Sequence, residues 1–105
     1  MTTIGYTNYT NLDAYFGRGY RRGDRLVKGY SGEIEISDLE YDLEAIFARH
    51  NRDDRPDGRL CPSMSVGDVI ILGEGAFTVE SEGFSPINLD LRDLITDRTW
   101  SEVDR

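Results

Sequence analysis

The segment Glu33-Ile-Glu-Ile-Ser-Asp-Leu-Glu-Tyr-Asp-Leu-Glu-Ala-Ile-Phe-Ala-Arg-His-Asn51 changes its period partway along. Glu33 to Ile36 alternates charged and apolar residues, the pattern of a half-buried strand. From Ser37 onward the apolar residues Leu39, Leu43, Ile46 and Phe47 fall at i, i+4, i+7 and i+8, one stripe of a helix. Ser37-Asp-Leu-Glu40 reads as a capping box, with Ser37 as the N-cap. Asp38, Glu40, Asp42 and Glu44 load the first turns with negative charge. Arg49 and His50 stand in the last turn, where cations suit the helix dipole. Asn51 suits the stop. The spacing predicts a helix over 38–50, entered from a strand.

Strands extend in both directions. Arg25-Leu-Val-Lys-Gly-Tyr30 reads as a strand, and Ser31-Gly32 as either a turn or a bulge in one long strand. Beyond the helix, 51–62 reads as loop, punctuated by Pro56, Gly58 and Pro62. Asp68-Val-Ile-Ile-Leu72 is the apolar run of a strand covered on both faces. Gly73-Glu-Gly75 is a turn, and Ala76 to Glu80 pairs back as a hairpin. Gly83-Phe84 closes it, and a short extended segment begins at Pro86-Ile87. Leu91, Leu94 and Ile95 fit a short C-terminal helix, while Ile87, Leu89 and Leu91 fit a strand. The expected fold is α+β: a small antiparallel sheet packed against one main helix. Residues 25–97 are expected to form the domain, with 98–105 as a tail. Residues 1–24 are left without a firm element, and 17–24 read as a mobile basic loop.

The chain has 105 residues, with 20 acids against 12 bases and a net charge of −8. That length suits one domain with one modest core. The charge is divided along the chain. Residues 1–30 hold five bases and two acids, net +3, and residues 31–105 hold seven bases and eighteen acids, net −11. The single cysteine, Cys61, cannot form an internal disulfide, which fits a reducing cytoplasm. Met1 to Tyr6 lacks the basic and apolar regions of a signal peptide, and the longest apolar run, Val69-Ile-Ile-Leu72, is too short to cross a membrane.

Few residues suggest chemistry. His50 is the lone histidine and has no Cys/His companions for a zinc site. The acids of 51–59 do not make a calcium loop, because Arg55 and Met64 fall where ligands are needed. Gly17-Arg-Gly-Tyr-Arg-Arg-Gly23 has the wrong spacing for a dinucleotide fingerprint. No nucleophile–base pair can be named, so no enzyme, cofactor or metal is expected. The candidate partner-binding surface is Tyr15, Phe16, Arg18, Tyr20, Arg21, Arg22, Arg25, Lys28 and Tyr30, where bases interleave with aromatics. Such a surface can dock on an acidic protein, including a second copy of this chain, or grip phosphates and stack bases. The acidic remainder could instead imitate a nucleic-acid backbone.

Three motifs carry a resemblance. Ile46-Phe47-Ala-Arg49-His-Asn51 ends the helix, Ser63-Met-Ser-Val-Gly-Asp-Val69 leads into a strand, and Gly83-Phe84-Ser-Pro86-Ile87 follows the hairpin. In this order and spacing, residues 39–87 resemble the YodL-like domain family. His50 departs from the aromatic usual at its position, and Cys61-Pro62 from a more polar lead-in. The motif positions are Phe47, Asn51, Ser63, Ser65, Gly67, Asp68, Gly83 and Phe84. Their residue types also suit structure: Gly67 supplies permissive φ, and Asp68 can bind nearby backbone N–H groups. The resemblance implies a small module of bacterial phages and mobile elements, often near defence genes, with no settled activity. The expected function is therefore a non-enzymatic interaction module, with a host or element-encoded protein as partner. A nucleic-acid-binding or DNA-mimicking accessory protein is the alternative.

Overall fold

In a computed structural model, the described residues are 2–14, 18–51, 64–89 and 94–95. The period change noted above is realised as β2, Leu26–Glu35, followed by α1, Leu39–Arg49. Ahead of them runs β1, Thr3–Asn11, and after them β3, Val69–Leu72, β4, Gly75–Val79, β5, Phe84–Pro86, and β6, Leu94–Ile95. The sheet order is β5-β4-β3-β1-β2-β6, with one helix among the described residues, so the fold is α+β.

The largest departure from expectation is β1. It pairs antiparallel with both β2 and β3, which puts it inside the sheet. Residues 1–24 are therefore not an appendage to a domain that starts at 25. Tyr6 and Tyr9 anchor β1 on opposite faces: Tyr6 in the cluster under α1, and Tyr9 in a second cluster with Leu26 and Val69. A strand covered on both faces shows no alternation, so its periodicity is silent.

β2 is one long strand, and its irregularity falls just before Ser31. Thr7 pairs with Ser31 and Tyr9 with Lys28, so Asn8 alone faces Gly29 and Tyr30. The Asn8 side-chain oxygen accepts the Tyr30 N–H, which the bulge would otherwise leave unpaired. β6 pairs parallel to β2, Leu26 with Leu94 and Val27 with Ile95, so the sheet is mixed. At Leu94 and Ile95 a strand replaces the expected C-terminal helix; the rest of that segment lies outside the described residues.

α1 begins one residue later than a Ser37 cap would place it. Asp38 is the N-cap, and its carboxylate accepts the Tyr41 N–H at 3.3 Å. Ser37 instead donates both its N–H and its hydroxyl to Asp42. Asp42 is therefore buried, not a surface charge. Leu43 and Ile46 enter the core with Tyr6, Met64, Ile70, Leu72 and Val79. Leu39, the first residue of the stripe, remains half exposed.

The turn before β3 is held by Asp68, which is buried. Its two carboxylate oxygens accept the Asn11 N–H at 2.9 Å and the Ser65 N–H at 3.0 Å. The Asn11 amide in turn donates to the Gly67 carbonyl at 2.9 Å. Gly67 lies at φ +94°, and a Cβ there would sit 2.7 Å from the Ala14 Cβ and 2.9 Å from the Arg18 carbonyl oxygen. Gly83 lies at φ +79° with open space around it. Gly67→Ala should therefore cost about 2–4 kcal/mol, from both strain and collision. Gly83→Ala should cost only about 1 kcal/mol, from strain alone. Urea denaturation of the two variants measures the difference; equal losses would contradict it.

Candidate functional site

The residues from Arg18 to Arg25 form a loop tied to the sheet, not the mobile segment that its glycines suggest. Asp24 is buried at its centre and accepts hydrogen bonds from the Asn11 amide, the Arg18 guanidinium and the Arg21 N–H, at 2.9–3.0 Å. Burial pushes the Asp24 pKa up, but these donors outweigh it and hold the carboxyl below its ordinary range. Arg18 also donates to the Asp13 carbonyl. Arg25 holds the Asp13 carboxylate through its side chain, at 2.8 Å, and through its N–H, at 2.7 Å. Hydrogen bonding to Arg25 lowers the Asp13 pKa.

These contacts divide the expected basic surface. Arg18 and Arg25 are engaged with carboxylates, Arg21 and Arg22 are exposed, and Lys28 is half-buried. Tyr20 packs against the cluster of Tyr9, Leu26 and Val69, while Tyr30 packs against the cluster under α1. The two tyrosines stand on opposite faces of the sheet and cannot stack on one strand of nucleic acid. Tyr15, Phe16 and Ser63 lie outside the described residues, as does Cys61.

Tyr30 belongs to a buried aromatic group that closes the C-terminal end of α1. Its ring lies 5.4 Å from His50 and 6.1 Å from Tyr6, and Tyr6 meets His50 edge-on at 5.7 Å. The Tyr6 hydroxyl and His50 Nε2 are hydrogen-bonded at 2.9 Å. Arg49 donates to the same hydroxyl and lies over the Tyr30 ring, 5.6 Å from its centre. Burial, and secondarily the Arg49 charge, lowers the His50 pKa from 6.5 to about 4. His50 is thus neutral at pH 7 and does not serve the helix dipole as a cation, a correction to its reading from the sequence. Burial raises the Tyr6 pKa, with Arg49 partly opposing it. A tyrosine, a histidine and an arginine in contact can move protons, but Tyr6 and His50 are 2% and 1% exposed. Among the described residues no group of His, Cys, Asp and Glu could hold a metal ion.

The accessible feature lies elsewhere, along the seam between α1 and the β4–β5 edge. Phe47 and Phe84 meet there edge-on at 6.3 Å. The first and third sequence motifs thereby become neighbours. Three shallow depressions of about 290, 280 and 340 Å³ run along the seam. Ile36 and Leu39, 42% and 50% exposed, stand at its start. Tyr41 is more exposed still but lines none of the three. The seam was missed in the sequence because Leu39 looks the same as Leu43 there; only packing separates them. Asn51 closes α1 through its N–H to the Ala48 carbonyl, and Ser65, Gly67 and Asp68 belong to the turn before β3. None of these four lines the seam.

The architecture is a small mixed sheet under one helix, with its sequence motifs divided between a buried turn and an open seam. Residues 1–89 match the YodL-like domain family, and the chain belongs to it. The match reaches back over β1, in accord with that strand's place within the sheet. No curated protein and no solved structure matches the chain. No helix among the described residues is long and apolar enough to cross a membrane.

The His50 arrangement has a consequence for stability. The unfolded chain binds a proton at His50 near pH 6.5, whereas the fold resists it until about pH 4. Stability should be full above about pH 6.5 and fall as the pH drops toward 4, by about 3 kcal/mol in total. The fall lies above the window of the lowered Asp13 and Asp24 carboxyls, whose ordinary value is 3.8. Urea titrations from pH 7 to 4.5 should show this slope in the wild type and a flatter one in His50→Gln.

Proposed function

We propose that this protein is a non-enzymatic interaction module that docks another protein on the seam between α1 and the β4–β5 edge. The observation that carries the reading is the row of apolar side chains along that seam, with Ile36 and Leu39 left open to solvent. Exposed apolar surface is costly to keep, and contiguous patches mark interaction sites. Among the described residues, every charged side chain along the three depressions is acidic, which favours a partner segment that is apolar with basic flanks. The family resemblance adds a setting: a bacterial phage or other mobile element, acting in the cytoplasm on a host or element-encoded protein in defence or regulation. A nucleic-acid role for the basic loop is disfavoured, because Arg18 and Arg25 already neutralise Asp24 and Asp13.

A photo-crosslinking residue in place of Ser81, which lines the seam, should give a covalent adduct in cells. The same residue in place of the exposed Arg22 should give none. In the Ser81 variant, adding Leu39→Glu should abolish the adduct. An adduct from position 22 alone would move the docking surface to the basic loop and overturn the proposal.

A further inference from the structure

We infer that the occupant of the seam is a cationic amphipathic helix of the partner protein; the inference rests on the docking reading above. The depressions follow α1 in order. Leu39 lines the first and second, Leu43 the second, and Phe47 the third. These residues are four apart, so each step along the seam is about 6 Å. A helix laid beside α1 repeats its apolar side chains at that same interval, at i, i+4 and i+7 or i+8. Phe77, Phe84 and Pro86 form the opposite wall.

Two alternatives fit less well. An added β-strand would have to pair with β5, which is only three residues long and ends in Pro86, without an N–H to offer. A second copy of this chain, docked by the same face, would set one acidic patch, Glu40, Glu44 and Glu80, against another of the same sign. The remaining acid of the seam, Asp42, is occupied by Ser37, which leaves those three glutamates to attract the flanking charge. Among the described residues no base lines the depressions to offset them. Lysines or arginines beside the apolar stripe of the incoming helix would meet them.

The test uses three synthetic peptides of about 16 residues, roughly four helical turns. One carries leucines at the helical repeat and lysines elsewhere, the second replaces lysine by glutamate, and the third is the lysine peptide interrupted by two prolines. Amide chemical shifts and fluorescence anisotropy report the binding. The lysine peptide should shift amides of residues 39–47 and 84–85 and bind at least roughly tenfold more tightly than either other peptide, less so in high salt. Glu40→Lys combined with Glu44→Lys should reverse the charge preference. Equal binding of the lysine and glutamate peptides overturns the cationic partner, and equal binding of the proline peptide overturns the helix. If no peptide shifts the seam while the Ser81 crosslink still forms, this inference falls and the docking reading stands. If the crosslink is also absent, both fall.

Discussion

The pairing of β1 with β3 depends on one buried carboxylate. Asp68 accepts the Asn11 N–H at the end of β1 and the Ser65 N–H in its own turn, and its carbonyl accepts the Val79 N–H from β4. The end of β1, the turn and β4 thus meet on a single residue, β1 from 57 residues away. Asn11 extends the connection: its amide joins the Gly67 carbonyl to Asp24, and Asp24 holds Arg18 and Arg21. Buried polar groups this densely satisfied specify one arrangement, because any slip would leave several of them unpaired. The motif that leads into β3 serves this junction through Ser65, Gly67 and Asp68.

The two ends of the molecule divide the work. At the Asp68 end, polar groups are buried and matched. At the seam, apolar groups remain partly exposed. Leu43 and Ile46 are buried, while Leu39, one turn earlier on the same stripe, stays half exposed beside Phe77 and Pro86. The helix's stripe therefore runs on beyond what the described residues cover.

Much of the fold was legible. The change of period at Ser37 identified β2 and α1, and the apolar run at 69–72 identified β3 and its hairpin with β4. β1 was not legible, because Thr3–Asn11 combines apolar, aromatic and polar residues without alternation. Its threonines and tyrosines were the available signal, since both favour strands. The pairing within the basic surface was hidden for a related reason. Counting charges in a loop cannot show that Asp13 and Asp24 lie against Arg25 and Arg18.

Local pattern by itself determined the helix, the principal hairpin and the family motifs, since these rest on spacing and turn chemistry within a few residues. Tertiary structure alone decided which of these polar residues are buried, because Asn8, Asn11, Asp24, His50 and Asp68 complete their partners only when separate elements meet. It also decided where the surface is open. Exposure of Leu39 is a property of what lies above it, and the residue's identity carries no record of that.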